Sequence, residues 1–150
     1  MRPVLDARRQ SLAQFHRDHV ELEQAVPEPA ARGHLDAGSA GEQAAAAHLE
    51  SAGYRILARN VRAGGVEADL VAEAPGGAIA VVEVKARRGP FHAEERVGAA
   101  KRARLVRFAE ALAARRGFGD RLFQFDVVAV ELREGLPPRV EHWPHAFDAD

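Results

Sequence analysis

Hydrophobic and polar residues alternate most regularly in the middle of the chain, between residues 66 and 85. Two β-prone runs, 70–72 and 79–82, are separated by Ala74-Pro75-Gly76-Gly77. This is a turn sequence, because Pro fixes φ and Gly accepts positive φ. The pattern therefore predicts a β-hairpin.

Regions on both sides of the hairpin predict further elements in the order helix, three strands, helix, strand. Hairpin neighbours pair antiparallel, whereas a helical crossover permits a parallel neighbour, so we expect an α/β domain with a mixed sheet. Ser39 and Glu42 match a capping box at the start of the first helix. The predicted elements are helices over 39–52 and 93–116, strands over 54–61 and 123–132 beside the hairpin, and a final short strand over 140–143.

The N-terminal part carries an apolar stripe at helical spacing over residues 4–26, and Val26-Pro27 ends it. Residues 27–33 are a linker rich in Pro and Ala. We therefore expect an extension of helix and linker over residues 1–36, followed by one domain over 37–150. The extra helix packs on its own domain or, alternatively, forms a homodimer contact.

Composition is that of an ordinary globular domain, with 150 residues, 47% hydrophobic residues and a net charge of −1. No apolar run approaches the ~20 residues of a membrane span, and Met1-Arg2-Pro3 leads into polar sequence rather than a signal peptide. A cytoplasmic protein without a membrane partner is therefore expected. Because there is no cysteine, any metal ligand must be oxygen or imidazole.

The charge is unevenly distributed along the chain. Residues 85–121 hold 11 Lys and Arg against 4 Asp and Glu, so the remainder is acidic. A basic segment beside carboxylates suits a protein that handles phosphates, because Lys and Arg neutralise the nucleic-acid backbone. The alternative is a general preference for Arg without a binding role.

The hairpin also carries the candidate chemistry. Side chains alternate across a strand, so Glu83 and Lys85 share a face, as do Glu67 and Asp69 on the first strand. Pairing of the strands brings Asp69, Glu83 and Lys85 together at one end. Two carboxylates that hold Mg²⁺, beside a lysine that positions water, suit phosphodiester hydrolysis. The alternative is a solvated edge strand in which Glu83 and Lys85 are only neighbours.

Asp69 followed by Glu83-Val84-Lys85 resembles the signature of the PD-(D/E)xK nuclease superfamily, which includes restriction endonucleases and archaeal Holliday-junction resolvases. Over about residues 38–147 the chain resembles one family more closely, the bacterial YraN family. One departure is Val66, where that family usually has Gly. The matching segments are Gly41-Glu42, Gly53-Tyr54, Asn60-Val61-Arg62, Glu67-Ala68-Asp69-Leu70, Val82 to Arg87, Lys101 and Phe125-Asp126-Val127-Val128.

The resemblance implies a restriction endonuclease-like α-β-β-β-α-β core and a catalytic site that uses Mg²⁺ or Mn²⁺. Asp69 and Glu83 are expected to hold the metal with the Val84 carbonyl, and Lys85 to orient water and stabilise developing negative charge. Glu67 and Glu42 are second-rank site candidates. For Glu42 the capping role and a metal-associated role both stay open.

Nucleic acid, with DNA foremost, is the expected partner. The alternative to a nuclease is a catalytically silent nucleic-acid-binding protein or a scaffold of DNA metabolism. Trp143 and Phe147 are expected to close the core rather than to stack on bases, and Asp126 to be a strand-end hydrogen-bonding residue rather than an outer-shell carboxylate. The predicted phosphate contacts are Arg87, Arg88, Lys101, Arg104 and Arg107.

Overall fold

The computed structural model of the chain describes residues 37–90, 97–115 and 117–149. Its element order matches the predicted succession, including the final strand, and the α/β fold class is confirmed. The elements are α1 (Ala37–Ser51), β1 (Arg55–Ala63), β2 (Val66–Glu73), β3 (Ile79–Arg88), α2 (Ala99–Ala113), β4 (Phe123–Leu132) and β5 (Arg139–Phe147).

The five strands form one sheet in the order β1-β2-β3-β4-β5. Strands β3 and β4 pair parallel, from Ile79–Phe123 to Arg88–Leu132, and the other neighbours pair antiparallel. The parallel pair requires a crossover connection, and α2 lies within it. The predicted mixed sheet is therefore confirmed.

The sheet is covered by one helix on each face. Successive β3 residues face alternate helices, so Val82 packs with α1 and Val81 with α2. Both faces are apolar, which explains why the central strands are rich in Val and Ile. The helical residues buried against the sheet are Ala45, Ala46 and Leu49 from α1 and Leu105, Phe108, Ala109 and Leu112 from α2.

Helix α1 approaches β3 closely because of one glycine. A Cβ atom at Gly41 would lie 2.2 Å from the Cβ of Ala86, a distance that side chains do not tolerate. Any larger residue would push α1 away from the C-terminal half of β3. Glu42 follows Gly41 directly, so this contact also fixes the position of Glu42 on α1.

Several predicted boundaries differ from the structure, most clearly at α1, α2 and β5. Helix α1 includes residues from Ala37 onward, so Ser39 lies inside the helix and the capping box is wrong. Helix α2 begins only at Ala99, because Gly98 is its N-cap in an extended conformation, with φ −72 and ψ 168. Strand β5 is longer than predicted and continues through Pro144, which an edge strand tolerates because it pairs on one side only.

Some predictions fall on residues outside the described ranges: the N-terminal helix, its linker and the dimer contact at 1–36, and the predicted helical residues 93–96. Helix α2 ends at Ala113, with Ala114 as its C-cap, rather than at residue 116. Within the described ranges neither helix is long and apolar enough to cross a bilayer. Trp143 and Phe147 pack against the core beneath α2, and the Phe147 ring stacks on Phe125 at 4.8 Å between centroids. These two aromatic residues therefore close the core, as expected.

Candidate functional site

The site forms where β2 and β3 separate. Their antiparallel ladder ends at the pair Leu70–Val82, whereas β3 continues beside β4 as far as Arg88. Asp69 and Glu83 are the next residues beyond that last pair. They therefore stand at the opening between the two strands.

The carboxylate of Asp69 is held by the backbone of β3. Its Oδ2 accepts a hydrogen bond from the Val84 N–H at 2.8 Å. This side chain replaces the backbone acceptor that β2 no longer supplies at this position. Because the N–H and C=O groups of one residue in a strand point to the same side, the Val84 carbonyl also lies on the side of Asp69.

A local irregularity places Asp69 there. Asn60 has a φ of 51 and stands opposite Asp69 in the β1–β2 register. Strict alternation would keep residues 68 and 70 on one face, yet Ala68 packs beneath α2 and Leu70 beneath α1. The hairpin therefore rotates about Asp69, and Asn is one of the few residue types that adopt the left-handed conformation at low cost.

Glu83 points to the face covered by α2, and its side chain is only 8% exposed. Its Oε2 is buried and has no hydrogen-bond partner among the residues that the structure describes. The nearest cation is the Lys101 ammonium, with Nζ 3.6 Å from Oε2. A buried carboxylate oxygen without a hydrogen bond is costly, so this atom is suited to a positively charged ligand.

The two carboxylates, called the carboxylate pair below, interact strongly. Burial raises the pKa of Asp69, and the Val84 N–H and the Lys101 charge offset only part of this effect. Burial and the charge of Asp69 raise the pKa of Glu83 to about 7, although Lys101 and Lys85 act in the opposite direction. Near neutral pH Glu83 is therefore only partly ionised when no metal is bound.

This donor set fits a divalent cation of the Mg²⁺ or Mn²⁺ type. The carboxylate pair and the Val84 carbonyl offer only oxygen ligands, and Mg²⁺ is commonly held through one or two carboxylates while it keeps several waters. In the part of the chain that the structure describes, no group of three or more His, Asp or Glu residues forms a metal site. Water or substrate would have to supply the remaining ligands.

Glu67 and Glu42, the second-rank candidates, do not complete the pair. Glu67 is exposed on β2, although its charge contributes to the raised pKa of Asp69. Glu42 is half-buried on α1, which covers the face of the sheet opposite Glu83. Neither joins Asp69 and Glu83 in a three-carboxylate cluster within the described ranges.

The predicted basic residues lie on β3 and α2. Lys85 is half-buried two residues beyond Glu83 on the same face, and its charge lowers the pKa of Glu83. Lys101 reaches Glu83 from the first turn of α2, a contact that sequence reasoning missed because helix geometry alone does not reveal which strand a helix faces. Arg104 and Arg107 are exposed on α2. At the end of β3, Arg87 is half-buried and Arg88 is exposed.

A second buried carboxylate lies on the neighbouring strand. Asp126 is 1% exposed and accepts hydrogen bonds from Tyr54 Oη at 2.8 Å, Gln124 Nε2 at 2.9 Å and the His145 N–H at 3.2 Å, and its Oδ2 is 2.8 Å from His142 Nε2. We call this group the Asp126 network. The expected hydrogen-bonding role is thus observed, but within β4 rather than at its end. An acidic residue inside a Phe- and Val-rich strand was the sequence signal, but its partners were not identifiable.

Comparison with known proteins places the chain in a family. The family described as Uncharacterised protein family UPF0102 matches residues 41–130. A UPF0102 protein of Trichlorobacter lovleyi is 40% identical over 119 residues, which cover 78% of this chain and 94% of that protein.

Two further relatives agree. A UPF0102 protein of Symbiobacterium thermophilum is 51% identical over 96 residues, covering 63% of this chain and 80% of the relative. One of Syntrophotalea carbinolica is 43% identical over 118 residues, covering 77% and 94%. The chain belongs to the UPF0102 family, and the resemblance to the YraN family is thereby confirmed. The family match spans both the carboxylate pair and Asp126.

Proposed function

We propose that this UPF0102 protein is a divalent-metal-dependent nuclease that binds nucleic acid, DNA foremost, and hydrolyses phosphodiester bonds at the carboxylate pair. The observation that carries the proposal is the buried Oε2 of Glu83 beside Asp69, an atom without a hydrogen-bond partner among the residues that the structure describes. A protein that used these groups only for stability would be expected to satisfy that oxygen. The Asp69…Glu83-Val84-Lys85 signature supports the same chemistry.

Asp69, Glu83 and the Val84 carbonyl would hold Mg²⁺ or Mn²⁺, which when bound supplies the charge that polarises a phosphate and activates water. Lys85 lies two residues along β3 from Glu83 and presents its ammonium on the same face. Its role is to orient the attacking water and to stabilise negative charge that develops on the phosphate oxygens. The Val84 N–H holds the Asp69 carboxylate in place through its hydrogen bond.

Nucleic-acid binding is assigned to the basic side chains around this site. Arg104 and Arg107 are exposed on α2, the helix whose first turn reaches Glu83 through Lys101. Contacts of this kind are to phosphates and carry no sequence information. Binding should therefore weaken steeply with salt, and charge reversal at both arginines should weaken it for all sequences alike.

Metal-dependent cleavage of single-stranded, duplex and branched DNA and of RNA tests the proposal. Asp69→Asn and Lys85→Ala should each abolish cleavage and leave nucleic-acid binding nearly unchanged. The Asn side chain still accepts the Val84 N–H, so the fold is retained. Glu134→Gln, which removes an exposed carboxylate from the β4–β5 turn, serves as the control and should cleave like the unmodified protein.

Cleavage that survives in Asp69→Asn would reject this site as the catalytic centre. Cleavage that is lost equally in Glu134→Gln would point to a general loss of fold. Absence of cleavage on all substrates, with binding intact, would favour the second candidate below.

The second candidate is a nucleic-acid-binding protein or scaffold of DNA metabolism without turnover. The observation in its favour is that the described residues bring together two carboxylates rather than three or more. It predicts the same salt-dependent binding, but no cleavage and no effect of Asp69→Asn on any nucleic-acid readout. The substrate panel with Mg²⁺ and Mn²⁺ therefore separates the two candidates.

A further inference from the structure

We propose that Lys101 is a second lysine of the site and that it exchanges partners. It balances Glu83 in the metal-free protein, and it turns to a phosphate of the nucleic acid once a divalent cation is bound. The inference rests on the proposed function, since it assumes a cation at the carboxylate pair.

Lys101 is held at the site by the start of α2. The helix begins at Ala99 with Gly98 as its N-cap, and the Arg102 N–H bonds the Gly98 carbonyl at 2.9 Å. Arg102 Nε also donates to the carbonyl of the buried Val97 at 2.9 Å. The backbone that carries Lys101 is therefore anchored on both sides, while its side chain extends from the helix toward β3.

The contact with Glu83 is an ion pair without a hydrogen bond. The distance of 3.6 Å between Nζ and Oε2 exceeds a normal N–H···O bond, and the orphaned Oε2 remains unsatisfied. The Lys101 side chain is 36% exposed, whereas that of Glu83 is 8% exposed. The ammonium thus lies between solvent and the buried carboxylate, and it is able to leave without breaking a hydrogen bond to Glu83.

A divalent cation at the carboxylate pair changes the balance for Lys101. Two positive groups cannot both occupy the space beside Glu83 Oε2, because like charges at this distance repel. A phosphate drawn to the same site is the nearest anion that compensates the displaced ammonium. Lys101 also differs from Lys85, which is part of β3 itself, because Lys101 comes from a separate layer and has a long flexible stem that reaches either partner.

Metal titration without nucleic acid tests the first part of the proposal, that Lys101 balances the charge of Glu83 in the metal-free protein. Mn²⁺ affinity, measured by calorimetry, should increase on the order of 5- to 10-fold in Lys101→Met, because the competing charge is removed. Arg115→Met removes the same charge just beyond the C-terminal end of α2, where Arg115 is exposed, and should leave the affinity within about 2-fold of the unmodified protein. Unchanged or weaker Mn²⁺ binding in Lys101→Met would overturn the proposal.

The titration also separates this inference from the proposed function. If the unmodified protein binds no Mn²⁺, the metal site of the proposed function fails. The Lys101 inference then survives only if Lys101→Met gains Mn²⁺ binding, and it is overturned if neither protein binds. Lys101→Gln, which keeps a polar side chain, replaces the Met variant if thermal melting shows that the latter is unfolded.

Salt dependence tests the second half. With Ca²⁺ present, the log–log slope of duplex affinity against salt should be shallower by about 0.9 in Lys101→Met than in the unmodified protein, because one phosphate contact is lost. With EDTA the two slopes should agree. The phosphate contact would be overturned if the slopes of the two proteins agree in both conditions, or if the slope of Lys101→Met is shallower by the same amount in both. Absence of duplex binding by the unmodified protein would overturn it too, and would also count against the proposed function.

Discussion

Two buried carboxylates lie on adjacent strands of the sheet, and the protein treats them in opposite ways. Val82 pairs with Asp126 and Glu83 with Val127, so the acids are one step apart in register, on opposite faces. The Asp126 carboxylate has four partners, whereas one oxygen of Glu83 has no hydrogen bond within the described part of the chain. Despite burial, these hydrogen bonds lower the pKa of Asp126, while the pKa of Glu83 is raised.

The difference separates a structural carboxylate from a functional one. The Asp126 network joins β4 to β5 and to Tyr54 before β1, so its hydrogen bonds contribute to folding. The carboxylate pair brings two acids together with too few donors, an arrangement that is unfavourable until a cation is bound. Burial alone would not have distinguished them, because both acids lie among apolar residues of the same sheet.

The largest expected effect tests the structural side. Asp126→Ala should lower the free energy of unfolding by about 3–5 kcal/mol, because it leaves the buried donors of the Asp126 network unpaired. Glu83→Gln, which removes the charge of Glu83 but keeps the size of its side chain, should alter it by less than about 1 kcal/mol or raise it, because the removed charge repels Asp69. Urea unfolding at neutral pH without metal measures both changes. A large loss in Glu83→Gln with little in Asp126→Ala would reverse the assignment of the two acids.

The next effect tests the functional side. At a Mg²⁺ or Mn²⁺ concentration 100 times the dissociation constant, the metal should stabilise the folded protein by about 2.7 kcal/mol. Asp69→Asn should lose this gain. Asp126→Asn should keep it, even though this variant is less stable than the unmodified protein without metal. Thermal melts with and without metal measure the increments. A protein whose melting is indifferent to metal, or an increment that disappears in Asp126→Asn, would contradict the separation of the two sites.

The pH dependence of stability should show both acids separately. The folded-state pKa of Glu83 is raised from 4.5 to about 7, so its contribution is fully present below pH 4.5 and is lost as pH rises through 7. The loss should be on the order of 2 kcal/mol without metal. The lowered pKa of Asp126 acts oppositely, since its contribution is present above its usual value of 3.8 and is lost as pH falls.

Glu83→Gln isolates the loss of stability toward neutral pH that is assigned to Glu83. Denaturant unfolding between pH 3 and pH 8 should lose its decline toward neutral pH in that variant and retain the decline toward acid. Saturating Mg²⁺ should remove the same decline from the unmodified protein, because the cation replaces the proton on Glu83. A profile that Glu83→Gln does not change would mean that another group titrates in this range.

Much of the fold could be predicted from the sequence because periodicity and turn chemistry are local signals. The hairpin, the order of elements and the mixed sheet followed from alternation, from Pro75 and the Gly residues after it, and from helical spacing. Helix starts were less reliable: Gly98 in an extended conformation delays α2, and Ser39 lies within α1 although it fits a capping pattern. These boundaries depend on tertiary packing, which local propensity does not record.

The candidate site was predictable only in part for the same reason. The proximity of Asp69 to Glu83 followed from strand alternation and hairpin pairing. The rotation at Asp69 depends on Asn60, a residue of another strand in the left-handed conformation. The position of Lys101 depends on the way that α2 crosses the sheet. The distant partners of Asp126 come from two other regions of the chain, 72 residues away for Tyr54 and 16 and 19 residues away for His142 and His145 on β5. Contacts at such separations leave no periodic trace in one sequence.

The smallest expected effect tests whether the Asp126 network behaves as separate bonds or as one unit. Tyr54 donates to Asp126 and accepts from Gln124 Nε2 at 3.3 Å, and burial together with the Asp126 carboxylate raises the pKa of Tyr54 to about 12. Tyr54→Phe leaves Asp126 three of its four partners, so it should cost about 1 kcal/mol of unfolding free energy, far less than Asp126→Ala.

The decline of stability toward acid should shift to higher pH in Tyr54→Phe, because one bond that lowers the pKa of Asp126 is lost. Urea unfolding from pH 3 to pH 8 measures both effects, and the response to Mg²⁺ should not change. A loss as large as that of Asp126→Ala would show that the network is cooperative, whereas a lost metal response would show that the two carboxylate sites are coupled across the sheet.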